Sequence, residues 1–219
     1  DAGDAVNDLV EYFSALIEKR RVEPGRDAVS ALVEAEANGA DVDLLQILGF
    51  TFTMVTGGND TTTGLLAGAT ELLTQDRNQR AMLIEDSGLI PNAIEECLRL
   101  TCPVQGLART TTRAVEIEGV EIPEGKRVLL LYASANRDPR EFGPTSEQFE
   151  VTRKIDRTVS FTYGAHYCLG AAATRMQTRV ALEELLARCP DFSVDAARGT
   201  FADGCFVRRY DSLPFSVAA

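Results

Sequence analysis

A short run of residues at 161–170, Phe-Thr-Tyr-Gly-Ala-His-Tyr-Cys-Leu-Gly, contains residue types that can bind a metal. It places Cys168 between Gly164 and Gly170, immediately before an Ala-rich helical pattern. Glycine permits a turn with positive φ or close approach of a ligand to the backbone. A Cys at a helix N-terminus is favoured as the thiolate, which is the form that binds metal. The pattern therefore predicts thiolate ligation of iron, with a flat helix face to seat a large planar group.

This run fits the Phe-x-x-Gly-x-His-x-Cys-x-Gly signature of cytochrome P450 haem-thiolate enzymes at every defined position. The sequence resembles the soluble bacterial members of that family, in particular mycobacterial-type ones. The resemblance implies that Cys168 is the axial ligand of haem iron, with Gly164 and Gly170 against the cofactor. It also implies that the Phe161 ring tunes the sulfur and that His166 donates to a haem propionate. The rival reading, a Cys168–His166 nucleophile pair, leaves no place for an orienting third group.

A long, central helix is predicted over residues 43–75, where apolar residues lie on nearly every side and indicate burial. Residues 56–62 within it read Thr-Gly-Gly-Asn-Asp-Thr-Thr, which are poor helix formers and indicate either a functional site or a kinked core helix. The segment is similar to the family's Ala/Gly-Gly-x-Asp/Glu-Thr motif. The resemblance implies that Gly58 makes room for dioxygen, Thr61 hydrogen-bonds it, and Asp60 helps to relay protons.

A third pattern, Glu96-Cys97-Leu98-Arg99, lies in a helix predicted over residues 91–101 and opened by Pro91. Side chains three positions apart share a helix face, so Glu96 and Arg99 form an ion pair, which at an exposed site adds little stability. Its place between the Gly-Gly helix and the Cys loop matches the family's Glu-x-x-Arg motif. The resemblance implies a buried structural pair, with Arg153 as the candidate third partner.

The remaining segments predict a single domain, mainly α with small β segments, that corresponds to the C-terminal portion of the cytochrome P450 fold. The segments are packing helices at 1–42, a β region at 103–133 with a strand from Arg127 to Tyr132, a turn-rich meander at 134–160, the Cys loop with its haem-side helix at 161–188, and C-terminal strands at 189–219.

The resemblance also implies a cofactor, a reaction and partners. Arg109 would pair with a haem propionate, the alternative being a solvated arginine at a strand end. The substrate-pocket candidates are Phe52, Val55, Val104, Leu107 and Phe206. We expect haem b and O2 to insert one oxygen atom into a hydrophobic small molecule. Electrons would come from a ferredoxin or a flavoprotein reductase that docks near Arg175 and Arg179.

Composition excludes several other classes of protein. The 219 residues carry a formal charge of 22 − 33 = −11 and a pI near 4.7, which argues against a nucleic-acid partner. Five cysteines without C-x-x-C spacing indicate reduced thiols in a cytoplasmic protein, and a single His argues against a zinc site. No apolar run reaches the roughly 20 residues that a membrane helix needs, so no membrane association is expected.

The resemblance covers only the C-terminal part of the family's length. The competing hypothesis is therefore a non-catalytic, truncated fragment that is unable to hold haem or needs the missing N-terminal part. Within haem chemistry, a peroxide-driven oxygenase and a rearrangement catalyst are disfavoured, because the Asp60–Thr61 pair suits oxygen activation.

Overall fold

A computed structural model describes residues 2–204 and 206–217 of the chain. By its internal contacts the chain divides into two compact units, Asp1–Asn59 and Asp60–Ala219. The longest helix, α3 (Leu44–Gln75), contributes residues to both.

The first unit consists of α1 (Ala2–Val22), α2 (Ala28–Ala37) and the beginning of α3. Asp27 caps α2, because its carboxylate accepts the backbone N–H of Ser30 at 2.9 Å. Apolar stripes of the helices meet in a small core, which contains Ile17, Val29, Val33 and Ile47.

The second unit holds the remaining helices. After the rest of α3 these are α4 (Arg77–Glu85), α5 (Ile90–Thr101), α6 (Tyr132–Ala135), α7 (Pro139–Phe142) and α8 (Ala171–Arg188). A proline in the first turn opens α5, which packs against α8. Their shared core includes Leu65, Leu73, Ile94, Leu98, Leu182 and Phe192. None of the helices in the described part of the chain is both long and apolar enough to cross a bilayer.

The described strands of the second unit form two-stranded antiparallel sheets. They pair as β1 (Leu107–Thr110) with β4 (Arg127–Leu130), β2 (Val115–Ile117) with β3 (Val120–Ile122), β5 (Phe192–Val194) with β8 (Phe215–Val217), and β6 (Thr200–Phe201) with β7 (Tyr210–Ser212). In the first sheet Ala108 lies opposite Leu129. Glu118 and Gly119, both with positive φ, make the tight turn between β2 and β3.

The mainly α prediction with small β segments is confirmed, and the long helix lies within one residue of its predicted start. Two expectations were wrong. The strand that begins at Arg127 ends at Leu130 rather than Tyr132, which starts α6 and is buried. Burial of α3 on nearly every side was also wrong, because its buried residues, such as Leu65, Ala69 and Leu73, follow one face and Phe52 and Val55 are exposed by 36% and 42%. An apolar pattern indicates which side chains favour burial, but it does not predict which helix or strand packs over them.

Candidate functional site

The loop that carries Cys168 connects the meander to α8 and is closed by its own backbone. Cys168 N–H donates to the Phe161 carbonyl at 3.0 Å, and Tyr167 N–H donates to the Gly164 carbonyl at 2.9 Å. Gly164 has φ +72°, a conformation that glycine adopts without steric cost. These bonds hold Cys168 at the end of the loop, three residues before α8 begins at Ala171. Its side chain is half-buried.

Gly170 does not make a left-handed turn, and a Cβ there would be in ordinary contact with the Cys168 sulfur. It is the N-cap of α8 with φ −80°, and a Cβ added there would lie 3.8 Å from the Cys168 sulfur. Within the described ranges no group of three or more His, Cys, Asp or Glu side chains is arranged to hold a metal ion. A half-buried, free Cys168 with little side-chain bulk beside it therefore suits a metal that brings its own planar ligand and takes one protein donor.

The Phe161 ring is held between the loop and α8. It is 9% exposed, and it contacts Tyr167 edge-on with ring centroids 6.3 Å apart. The guanidinium of Arg175 lies 4.6 Å from the Phe161 centroid and is ion-paired with Glu95 on α5, where Nη2 is 3.1 Å from Oε2. The hydrogen bonds that Arg175 donates to Glu95 raise the pKa of Arg175, so this arginine stays protonated. Arg175 thus joins α5, α8 and the Cys loop.

Arg179 differs from Arg175 in its surroundings. It is 59% exposed and pairs with Glu183 one turn along the same helix at 2.8 Å. It therefore lies on the surface of α8, beside a shallow groove of about 450 Å³ that Met176 and Val180 also line.

Glu96 and Arg99 form a bidentate ion pair on α5 with neither side chain exposed. Nε and Nη2 of Arg99 donate to the two carboxylate oxygens of Glu96 at 2.6 and 2.8 Å. The other three N–H groups of Arg99 donate to main-chain carbonyls, at Asn136, Ser146 and Gln148. All five donors of the guanidinium are used, which is what a buried arginine requires.

Arg153 joins this pair from the meander. Its Nε donates to Glu96 Oε1 at 3.0 Å, and its Nη2 donates to the Thr145 carbonyl at 2.8 Å. The backbone N–H of Glu150 also donates to Glu96 Oε1, at 3.1 Å. One carboxylate therefore binds two arginines and ties the meander to α5.

The Gly-Gly-Asn-Asp-Thr segment lies in an uninterrupted stretch of α3. A Cβ added at Gly58 would meet no atom within 4 Å. Asp60 is half-exposed and its Oδ1 lies 3.3 Å from Nε of Arg209, while Thr61 is half-buried. The pairing of Asp60 with Arg209 was missed by sequence reasoning, since nothing local links residues so far apart along the chain.

The remaining candidates are distributed along the surface. His166 is exposed, and Arg109 is a half-buried residue of β1 whose Nη1 donates to the Ala108 carbonyl at 3.0 Å. Val104 pairs with Val207, the residue after Phe206, in an isolated antiparallel bridge. Leu107 lies opposite Leu130 in the first sheet and is 36% exposed. Phe52 and Val55 belong to the first unit.

Comparison with known proteins identifies the family. The family model for cytochrome P450 matches residues 1–199. The chain belongs to the cytochrome P450 family. It is 56% identical to cytochrome P450 130 of Mycobacterium tuberculosis over 218 residues, which are 99% of this chain and 54% of that protein. It is 35% identical to a steroid C26-monooxygenase of Mycolicibacterium smegmatis, covering 96% of this chain and 54% of that protein.

A solved P450 structure gives the same answer for the fold. CYP109E1 from Bacillus megaterium, determined in complex with testosterone, superposes with a TM-score of 0.92 at 30% identity, over 100% of this chain and 61% of that one. The chain spans about half the length of the curated relatives it matches. Membership of the P450 family implies the use of haem iron and O2, and the donor set at Cys168 fits such a group.

Proposed function

We propose that this chain carries the haem-thiolate centre of a monooxygenase that inserts one oxygen atom of O2 into a hydrophobic small molecule. The observation that carries the proposal is the Cys168 loop, in which a free, half-buried thiol follows a closed backbone turn and precedes α8. Cys168 would bind the iron, and His166 and Arg109 would bind propionates. Phe161, Gly164 and Gly170 would contact the cofactor. When bound, haem b would supply the redox chemistry that reduces O2 and transfers one of its atoms.

The chain's own residues on α3 would supply the protons that the reaction takes up. We assign Asp60 to proton exchange, because its half-exposed carboxylate is accessible to water while it pairs with Arg209 at 3.3 Å. The Thr61 hydroxyl, on the next residue of α3, would donate a hydrogen bond to O2 and hold the proton to be delivered. Gly58 would leave space for that molecule, since a glycine presents no side chain there.

The proposed substrate is hydrophobic, because the candidate contacts are apolar side chains that remain exposed or half-buried. Leu107 and Phe206 are exposed by 36% and 57%, and Val104 is half-buried. The other two candidates, Phe52 and Val55, are exposed apolar residues of the first unit. Two relatives, the steroid C26-monooxygenase and the testosterone complex, are named for polycyclic, apolar molecules of this kind.

We propose that electrons come from a ferredoxin or a flavoprotein reductase. The exposed guanidinium of Arg179 beside the groove on α8 is the candidate contact for an acidic partner. Arg175 is engaged by Glu95 and the Phe161 ring, so we assign it to the site rather than to docking.

A second candidate is that the chain by itself is not catalytic and needs the rest of the protein to enclose haem. The observation in its favour is that relatives are about twice as long as the matched region. Both candidates predict the same Cys168 chemistry, and they differ in whether the chain alone retains the cofactor.

The test is the carbon monoxide spectrum of the reduced, haem-loaded protein. A thiolate-ligated iron gives a far-red-shifted Soret band, which we expect Cys168→Ser to abolish. Cys189→Ser is the matched control, since Cys189 is also half-buried and lies at the other end of α8. Retention of the band in Cys168→Ser would refute the ligand assignment. A band from a longer protein but none from this chain would select the second candidate.

A further inference from the structure

The side-chain amide of Asn136, just after α6, contacts the residues that lead into the Cys loop. Asn136 is 1% exposed. Its Oδ1 accepts the backbone N–H of Val159 at 2.9 Å, and its Nδ2 donates to the Ser160 hydroxyl at 2.8 Å. One buried side chain therefore binds two consecutive residues immediately before Phe161.

The orientation of this amide is determined by its partners. Val159 N–H is only a donor, so it must face Oδ1, and the reversed amide would set two donors against each other. The second Nδ2 hydrogen points towards the Cys102 sulfur at 3.4 Å. Both N–H groups of the Asn136 amide then have acceptors, and only this orientation of the amide satisfies all of its hydrogen bonds.

The other end of the network is α5. The Ser160 hydroxyl donates to the Leu98 carbonyl at 2.8 Å, and Nη1 of Arg99 donates to the Asn136 carbonyl at 2.9 Å. Residues 159–160 are thus bonded to the helix that carries the buried Glu96–Arg99 pair. Buried polar groups that are fully bonded restrain the segments that they join.

The restraint reaches Cys168 through two backbone bonds. Thr162 N–H donates to the Val159 carbonyl at 2.9 Å, which closes a turn over residues 159–162. The Phe161 carbonyl inside that turn accepts the N–H of Cys168 at 3.0 Å. A shift of Val159 and Ser160 would therefore move the acceptor to which the Cys168 backbone is bonded.

We propose that Asn136 is a positioning residue for the Cys168 sulfur, acting through Ser160 and the turn that contains Phe161. That this sulfur binds haem iron rests on the function proposed above, whereas the restraint on the loop concerns the chain itself. Sequence reasoning treated Asn136 as one residue of a turn-rich meander, because its partners lie more than twenty positions away.

Amide hydrogen exchange tests the restraint without haem. In Asn136→Ala we expect the Cys168 amide to exchange about 5- to 100-fold faster, as for the loss of buried hydrogen bonds. Amides in the middle of α8, such as Leu182, serve as the internal reference. Ser160→Ala is a milder second variant that removes the acceptor of Asn136 and decides the question if Asn136→Ala does not fold.

Asn92→Ala is the matched control. Nδ2 of Asn92, on α5, donates to the carbonyls of Val151 and Arg153 at 2.6 and 3.1 Å, so it makes the same kind of link to an earlier part of the meander. We expect it to leave the ratio of Cys168 to Leu182 exchange unchanged. An unchanged ratio in both Asn136→Ala and Ser160→Ala, or an equal rise in Asn92→Ala, would overturn the proposal.

The haem-loaded protein gives the second readout. Per haem bound, the fraction of reduced carbon monoxide complex with the far-red-shifted Soret band should fall in Asn136→Ala and Ser160→Ala and stay at the parent level in Asn92→Ala. A full far-red fraction in the two variants would overturn control of the sulfur. If the parent protein gives no such band, the first candidate for its function, a chain that holds haem by itself, fails, and the exchange ratios still decide whether Asn136 restrains the loop.

Discussion

Arg99 donates through Nε and Nη2 to both carboxylate oxygens of Glu96, at 2.6 and 2.8 Å, where neither side chain is exposed to solvent. Such a pair is costly to bury and costly to break, because removing one partner leaves the other charge without compensation. Here the planar guanidinium also donates to three carbonyls from the segment between α6 and the Cys loop. The pair therefore organises the surroundings of the loop as well as α5.

Arg99→Lys should destabilise the chain by about 3 kcal/mol, although the positive charge is kept. A lysine ammonium cannot reproduce the forked, five-donor geometry, so several buried carbonyls lose their donors. The measurement is the free energy of unfolding in urea. Arg179→Lys, in the exposed pair with Glu183, is the control and should change it by less than about 0.5 kcal/mol. Equal effects of the two substitutions would contradict the buried-network interpretation.

Gly68→Ala should lower the free energy of unfolding by about 1–2 kcal/mol, even though Ala favours a helix. An added Cβ would lie 2.4 Å from Cγ2 of Thr101, whose hydroxyl is fixed by a 2.7 Å bond to the Cys97 carbonyl. Adding Thr101→Ser removes that methyl group and should recover most of the loss. Gly49→Ala, where a Cβ meets nothing within 4 Å, should instead stabilise the chain by about 0.5–1 kcal/mol. Thermal or urea unfolding compares the three variants.

Thr162→Gly should stabilise the chain by about 1 kcal/mol. Thr162 has φ +56°, a left-handed conformation that is strained for a β-branched residue and that glycine adopts freely. Thr162→Ala is the comparison, since alanine loses the branched side chain but keeps a Cβ in the same conformation. If the alanine variant is as stable as the glycine variant, the strain does not lie in the backbone.

The free energy of unfolding should fall as pH rises above about 9. Burial raises the pKa of the Cys102 thiol from 9.0 to about 11, and burial with a hydrogen bond to Glu71 raises the pKa of Tyr210 from 10.0 to about 12. A raised folded-state pKa stabilises the fold fully below the unfolded value, and that stabilisation is lost as pH climbs towards the folded value. Urea unfolding from pH 7 to 11 measures the loss. Tyr210→Phe should flatten the profile above pH 10, and an unchanged slope would exclude Tyr210 as a contributor.

Thr61→Ala should keep the far-red-shifted carbon monoxide band but reduce the product formed per electron consumed. The substitution leaves Cys168 intact and removes the hydroxyl that we assign to proton transfer. Product and electron consumption are measured together, with Thr63→Ala on the same helix as the control. Tightly coupled turnover in Thr61→Ala would remove this residue from the proton path.

Local sequence determined the elements and the motifs they carry. Helical periodicity and the proline that opens α5 predict helices near their observed bounds, because each depends on neighbours within a turn or two. Because Glu96 and Arg99 are three positions apart in one helix, local sequence also places them on one face of α5. The spacing around Cys168, together with the Gly-Gly-Asn-Asp-Thr and Glu-x-x-Arg patterns, indicated the P450 family, to which the chain belongs.

Only the tertiary structure decided what surrounds those motifs. Arg99 donates a hydrogen bond to the Asn136 carbonyl, 37 positions away in the sequence, and Asn136 donates one to Ser160, 24 positions away. Arg175 and Glu95, which are ion-paired, are 80 positions apart. Such pairs depend on how α5, the meander and α8 pack, and no local periodicity encodes that packing. The same limit explains why the apolar pattern of α3 failed to predict exposed Phe52: hydrophobicity specifies a preference for burial, and packing alone determines whether that burial is achieved.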